Sequence, residues 1–569
     1  MPNYIRFILH YTRFILPFIV LGATLKGVVA QTLPPEIPGR IDSLFNQWNK
    51  AAGPGCAVGV VRNDSLIFSK GYGLANVEFG IANTPATIFN MASVSKQFTA
   101  YSILLLERQG KLRLDDDIHQ YLNWFPDLKE RITIRNLLNH TGGIRDQWEL
   151  LATAGTELED VITQEQIIKI LSKQQGLNFK PGTDWSYTNS GFTLLAEIVW
   201  SVSGQTLRQF TDSAIFRPLG MKNTHFHDDY KEIVPNRSSS YVTTGKDHYG
   251  IAVSGCSNVG PTGLFSNIDD MSKWIMNFYA PVVGDEKEIL ELTEPVLVNG
   301  EKKRNYAKGI VADSLFGQKR YQHGGVDVGY QSFVSVYPEL KLGFMVFCNL
   351  GNANAQRMNE QLASLFIKDV SKRQHKSSQR DSARAILANT GRLRDYTGDY
   401  IADDATHFRF VVKDQKFYGV TPNGQYHLLI RTGADVYAVF ADTTSYFQFS
   451  GAGTNRVLID EYWPGNHLQF EKYDTAAKTD RQLTAYTGAY YCPELDCNYR
   501  IGLKDHRLFL SNAKYNDSPL TVYGDDHLVD GFWWMNHLHI MRDTRNRITG
   551  FELNGNRVMH LKFVKTEQR

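Results

Sequence analysis

Short apolar runs, helical spacings and strict alternation occupy different parts of this 569-residue chain. Residues 56–61 and 66–68 are apolar runs on either side of Asn63-Asp64, and 333–337 and 343–347 form a second such pair. Runs of this length, bounded by turn residues, predict buried strands. Between them, apolar positions recur at helical spacing over 96–109, 164–173, 192–203 and 268–279, and again over 361–368. Strands at both ends and helices in the middle of 31–367 predict an α+β unit. Its antiparallel sheet would be closed by the two ends of the segment and packed on a helical region.

The pattern changes near residue 368. Residues 368–384 are polar and basic and lack alternation, so 368–390 is read as a helix end running into a linker. An internal repeat follows. Leu393-Arg-Asp-Tyr396-Thr-Gly-Asp-Tyr400 matches Leu483-Thr-Ala-Tyr486-Thr-Gly-Ala-Tyr490, and Lys413-Asp414, Asn455-Arg456 and Gly465-Asn466 recur as Lys504-Asp505, Asn546-Arg547 and Gly555-Asn556. Both units alternate apolar with polar residues and are punctuated by turns such as Asn423-Gly424 and Asn554-Gly555. They predict two small antiparallel β-barrels, over 391–480 and 481–569.

The amino terminus alters the reading of charge. The whole chain carries 61 basic and 59 acidic residues, a formal charge of +2. Residues 1–30 hold Arg6, Arg13 and Lys26 with no acid, a short apolar run, and then Val28-Val29-Ala30 before Gln31. That is the pattern of a secretory signal peptide, and the run is short and interrupted for a membrane span. Its removal leaves 58 basic against 59 acidic residues, a charge of −1. The expected product is soluble, periplasmic or secreted, and without the basic excess of a nucleic-acid binder. The five cysteines are an odd number in a large chain, so they do not form a disulfide framework. Cys56 and Cys348 lie in apolar runs and are read as buried; Cys492 and Cys497 flank a short loop at a spacing open to a local disulfide.

Candidate chemistry falls at three places. Ser93-Val94-Ser95-Lys96 stands at the start of the predicted helix over 96–109, so hydroxyl and ammonium share one face. A second Ser-x-x-Lys, Ser511 to Lys514, lies in the strand-rich repeat and is read as chance. Tyr187-Thr188-Asn189 follows a Pro-Gly turn and precedes an apolar helix. A phenol beside Lys96 is expected to ionise more easily, and Asn189 could donate to a substrate carbonyl. His323-Gly324-Gly325 opens a strand, where the glycines permit close backbone approach and Val326 could offer its N–H to an oxyanion together with Ser93. His225-x-His227 and His537-x-His539 each put two imidazoles on one strand face, but no third metal ligand is identifiable.

The order Ser93-x-x-Lys96, Tyr187-x-Asn189, His323-x-Gly325 resembles the serine β-lactamase-related family, which includes class C β-lactamases, D-aminopeptidases, penicillin-binding carboxypeptidases and related esterases. Ile132 to Gly143, with His140-Thr-Gly-Gly143, and Gly260-Pro-Thr-Gly263 through Trp274 are also similar to its segments. The resemblance spans roughly 40–368. It implies Ser93 as nucleophile, Lys96 and Tyr187 as the proton-transfer pair, Asn189, His323 and Gly325 as substrate-binding positions, and the Ser93 and Val326 N–H groups as the oxyanion hole. No metal or other cofactor is implied, and the expected partner is a small-molecule or peptide substrate. The family's β-lactamases and transpeptidases usually carry Lys-Thr-Gly at the third motif, where this chain has His323-Gly324-Gly325. That favours an ester, amide or D-residue peptide as substrate over a β-lactam. The alternatives are a β-lactamase or DD-carboxypeptidase-like enzyme and a non-catalytic binding scaffold. The two appended barrels are similar to a D-aminopeptidase layout.

Overall fold

The structure is a computed structural model. It describes residues 33–48, 52–157, 159–298, 302–303, 305–368, 390–402, 406–421, 425–439, 442–451, 458–463, 466–474 and 476–566. The expected leader over 1–30 and nearly all of the expected linker lie outside the described residues.

Six strands form the central sheet: β1 (Cys56–Arg62), β2 (Ser65–Tyr72), β3 (Val311–Leu315), β4 (Gln318–Asp327), β5 (Tyr330–Tyr337) and β6 (Leu342–Cys348). Their order is β3-β4-β5-β6-β1-β2, with every neighbouring pair antiparallel. The strands from the two ends of this region meet in the middle, with Cys56 opposite Cys348 and Arg62 opposite Leu342. This is the closure expected from the sequence. β6 and all of β1 up to its last residue, Arg62, are apolar because both faces of the sheet are covered. Cys56, Val58, Val60, Phe344, Val346 and Cys348 pack into one core with helices α1 (Glu36–Phe45) and α5 (Ala355–Ser364). Ala57, Val61, Met345 and Phe347 point the other way, into the core of the helical region.

That helical region contains α2 (Ser95–Arg108), α3 (Asn189–Ser203) and α4 (Ile268–Asn277). α2 is buried along nearly its whole length, from Ser95 to Leu106. α3 starts three residues before its apolar run, so Asn189 opens the helix instead of preceding it. α5 ends at Ser364, so residues 365–368 do not continue a helix into the linker, contrary to expectation.

Each repeat unit is a closed eight-stranded barrel, one running from Gly398 to Tyr473 and the other from Gly488 to Thr566. The repeated residues build matching joints. The Tyr400 hydroxyl donates to the Tyr396 carbonyl at 3.1 Å, and the Tyr490 hydroxyl to the Tyr486 carbonyl at 2.6 Å. Lys472 lies over the Tyr400 ring and Lys565 over the Tyr490 ring. The hairpin residues Asp414 and Gln415, like Asp505 and His506, all have positive φ, as a two-residue hairpin turn twisted with its strands requires. Cys492 and Cys497 are cross-strand neighbours and both are free thiols, so no disulfide joins them. Among the described residues no helix is long and apolar enough to cross a membrane.

The first barrel has its own core. The second shares a continuous apolar core with the helical region. At this junction Arg145 and Glu494 pair at 2.7 Å with side chains only 2% and 9% exposed. Arg145 also donates to the Met559 and His560 carbonyls at 2.9 and 2.8 Å. Removing one member of a buried pair strands the other charge, at a cost of about 3–5 kcal/mol. Glu494→Ala is therefore expected to lower stability by about that amount in urea denaturation. Lys514→Ala, which removes the exposed pair with Asp160, should leave the transition where it was.

Candidate active site

The site is built where α2, α3 and β4 converge. Ser93 lies in a single 3-10 turn, Ala92–Val94, directly before α2. The N-cap positions of this turn and of α2 fall on Met91 and Val94, so Ser93 does not occupy the ordinary capping position open to a serine there. The turn is unusual. Ala92 has φ +46°, and its N–H donates to Asn90 Oδ1 at 2.8 Å. The carbonyls of Met91 and Ala92 accept from the hydroxyls of Ser332 and Ser95 at 2.7 and 2.5 Å. A non-glycine residue in the left-handed region costs energy, and here hydrogen bonds from β5 and α2 hold it in place.

Lys96 is one helical turn on, wholly buried. Its Nζ donates to Ser93 Oγ at 3.1 Å, to Asn189 Oδ1 at 2.9 Å and to the Pro261 carbonyl at 2.9 Å. These use all three ammonium protons. Asn189 is aimed by Asp146, whose Oδ2 accepts from the Asn189 backbone N–H at 2.7 Å and from Nδ2 at 3.0 Å. The amide oxygen is thereby left to face Lys96. Burial pushes the Lys96 pKa well below the usual lysine range; Asp146 and Asp327 oppose that shift and Arg557 adds to it.

Tyr187 differs from expectation. Its pKa is raised, chiefly by burial, with Ser93 and Arg557 pulling weakly the other way. The Lys96 ammonium lies over the ring face, 4.8 Å from its centroid. An ammonium there attracts the π-face without solvating a phenolate, and desolvation prevails. The expected easing of ionisation is therefore reversed.

His323 is buried on β4. Nδ1 lies 2.6 Å from the Gly324 carbonyl and Nε2 lies 3.3 Å from the Tyr306 hydroxyl. Burial first, then the Lys96 charge, brings its pKa down to about 4, so the imidazole is neutral at pH 7. Gly325 is where β4 passes the Ser93 turn. A Cβ there would sit 2.3 Å from the Met91 carbonyl oxygen and 2.9 Å from the Ala92 Cβ. Val326, the next residue, has an exposed side chain and lines the same cavity as Ser93. That cavity, about 830 Å³, brings together Ser93, Tyr187, Asn189, His323, Gly325 and Val326.

Sequence reasoning missed several residues of this site. Asp146 precedes a short helix, Gln147–Thr153, and caps it by accepting from the Trp148 N–H at 3.0 Å, a role that acidic residues often signal. Tyr306 packs against His140 and Tyr187 from a stretch with no periodic pattern. Arg557 reaches the cavity from a turn of the second barrel, its guanidinium 5.2 Å from the Tyr187 ring centroid. Ser511 and Lys514 lie far from this site in role: Ser511 is on a barrel strand and Lys514 pairs with Asp160 on the surface. For His225 and His227 the fold does supply a third candidate metal ligand, Glu232. Arg208, however, already holds both Glu232 oxygens at 2.6 and 2.7 Å.

A sheet-and-helix unit with Ser-x-x-Lys at the start of its buried helix defines a known class of protein. The family model described as Beta-lactamase matches residues 41–365, and the chain belongs to that family. Among curated proteins it is similar to a D-aminopeptidase of Gluconobacter oxydans, 28% identical over 49% of this chain and 53% of that protein. It is similar also to a D-aminopeptidase of Brucella anthropi, 30% identical with the same coverage. The chain thus spans about half the length of the curated relatives it matches. Among solved structures, a penicillin-binding protein homologue from Pyrococcus abyssi aligns with TM-score 0.52 at 20% identity, over 77% of this chain and 99% of its own. A penicillin-binding protein from Bacillus halodurans aligns with TM-score 0.50 at 22% identity, over 57% of this chain and 99% of its own. At these identities the structures bear on fold alone.

Gly325→Ala is expected to force the Met91–Ala92 turn and β4 apart. Overpacking of this kind costs about 1–3 kcal/mol. The variant should show that loss in thermal or urea denaturation, together with slower covalent labelling at Ser93.

Proposed function

We propose that this chain is an exported serine hydrolase that works through an acyl-enzyme on Ser93 and cleaves an ester, an amide or a peptide containing D-residues. The observation that carries the reading is a fully buried lysine with its Nζ 3.1 Å from Ser93 Oγ and its pKa pushed well down. Once it has given up one of its three protons, the amine at that distance is a general base for the hydroxyl. Export is supported by the leader pattern of residues 1–30. D-residue substrates are supported by the D-aminopeptidases at 28–30% identity.

In this reading Lys96 takes the Ser93 proton as Oγ attacks the substrate carbonyl carbon. The oxyanion is held by the N–H groups of Ser93 and Val326. Collapse expels the leaving group, which receives a proton from Tyr187 or from the Lys96 ammonium. The raised pKa of Tyr187 keeps it protonated and suits it to donating. With Lys96 neutral again, either directly or by returning its proton to the Tyr187 phenolate, water attacks the ester carbonyl while its proton passes to Lys96, and Lys96 hands that proton to Oγ as Ser93 is released. Asn189, fixed by Asp146, positions Lys96 and borders the acyl group. His323 is neutral at the third motif, where the family's β-lactamases usually carry a lysine for the β-lactam carboxylate, and Arg557 stands on a different wall, over Tyr187; this supports an ester or amide over a β-lactam.

A fluorophosphonate should give one adduct by intact mass, absent in Ser93→Ala. Lys96→Ala should slow acylation by about 10²–10⁴-fold with an unchanged circular dichroism spectrum; unfolding of that variant would instead assign Lys96 a structural role. Benzylpenicillin should acylate far more slowly than a short acyl ester, and the opposite order would overturn the substrate reading.

The pH profile gives a separate check. Because the folded-state pKa of Lys96 is lowered, its neutral form is reached at lower pH than in a free lysine. The acylation rate should climb as pH rises through that lowered value and level off below the ~10.4 of an ordinary lysine. A rate still rising beyond pH 10 would exclude Lys96 as the base.

A further inference from the structure

The turn that delivers Arg557 is fixed in place from both sides. The Arg557 N–H donates to Glu149 Oε2 at 2.8 Å, and its carbonyl accepts from the Asp146 N–H at 3.0 Å and from Asn178 Nδ2 at 2.9 Å. Two residues on, the Met559 N–H donates to Asn178 Oδ1 at 2.8 Å. Within the turn, the Gly555 N–H bonds the Val558 carbonyl at 2.6 Å. The backbone is thus bound to the segment that caps the Asp146 helix and aims Asn189. Only the side chain of Arg557 is left to the cavity.

That side chain lies over Tyr187, and its guanidinium donates to no acceptor among the described residues. The other basic groups of the site are committed. Lys96 has spent its three protons on Ser93, Asn189 and Pro261, and His323 is neutral at pH 7. The acids around the site are also committed. Glu149 is occupied by the turn backbone and burial brings its pKa up to about 8, while Asp146 holds Asn189 and Trp148. Asp327 lines the cavity, but its Oδ2 accepts from both Asn90 and Thr262, and burial raises its pKa. A planar guanidinium with free donors in a mostly apolar wall pairs best with a carboxylate or a similar anion.

We propose that Arg557 forms an anion-binding subsite of this cavity, so that the preferred substrate carries a carboxylate beside its scissile carbonyl rather than an ammonium group. This rests on the acyl-enzyme reading of Ser93. It also runs against a simple carry-over of aminopeptidase specificity, because a free substrate amine would meet the Arg557 cation.

Two matched ester series test it with the full chain. One places the charge on the acyl side: p-nitrophenyl hemisuccinate, p-nitrophenyl butyrate and p-nitrophenyl 4-aminobutyrate. The other places it on the leaving group: 3-carboxyphenyl acetate against phenyl acetate. In at least one series the anionic ester should exceed its neutral partner in kcat/KM by tenfold or more, mainly through KM. Arg557→Ala should bring that ratio to within about threefold of unity, and Arg557→Lys should retain part of it. The ratio isolates charge recognition, since any general disturbance of Tyr187 would affect both esters. Equal rates in both series, or a preference for the ammonium ester that disappears in Asp327→Asn, would overturn the subsite. If no ester acylates Ser93, the acyl-enzyme reading fails by itself. Calorimetry with glutarate on Ser93→Ala then still decides the subsite: binding weakened at least fivefold by adding Arg557→Ala supports it, and no difference overturns it.

Discussion

A lysine ammonium removed from water must find three acceptors, and in this chain they come from three separate segments. Ser93 belongs to the turn before the helix that carries Lys96, Asn189 opens another helix, and Pro261 supplies a backbone carbonyl from a loop. Each acceptor has its own support. Asp146 fixes Asn189, and Thr99 ties the loop next to Pro261 through the Gly260 carbonyl at 2.8 Å. The Ser93 turn is held by Ser332 and Ser95. The positions of three helices and a strand are therefore coupled to one nitrogen atom. Its burial is the source both of the site's rigidity and of the amine's lowered basicity.

The same desolvation sorts the neighbouring groups. It lowers the pKa of the basic ones, His140, His323 and Lys96, and raises that of the phenols Tyr187 and Tyr306. Burial disfavours every charged form, so it shifts the bases and the phenols in opposite directions. A lysine shifted down gives up its proton more readily and a phenol shifted up keeps its own, so one environment suits both halves of the proposed proton-transfer pair.

Much of the fold was legible in the sequence because its patterning is strong. β1 and β6 are buried on both faces and read as unbroken apolar runs, and the repeated Tyr-Thr-Gly-x-Tyr segments exposed the pair of barrels. The Ser93, Lys96, Tyr187 and Asn189 positions were visible because they cluster at the starts of two helices with a characteristic spacing, whereas His323, expected to open a strand, stands in the middle of β4. Other contributions were not visible. The phenolate expectation at Tyr187 failed because sequence reveals a neighbouring charge but not the loss of solvent that outweighs it. α3 began earlier than its apolar run because Asn189 and Ser190 are polar residues buried by tertiary bonds to Asp146 and to the Arg145 carbonyl. Arg557 had no local signature at all. Its importance comes from where the barrel docks, and docking depends on the Arg145–Glu494 contact between residues far apart in the chain.

The attachment of Arg557 to Glu149 spans 408 residues of chain. Synthesis from the amino terminus at ~5–20 residues per second places the two ends of that link roughly 20–80 s apart. The sheet, the helices and the Ser93–Lys96 pair can all assemble during that interval, with the wall above Tyr187 still missing. The proposed nucleophile is thus made early in synthesis, and the residue proposed to select its substrate late. A chain interrupted within the second barrel would lack the Arg557 side of the cavity around the same Ser93–Lys96 pair.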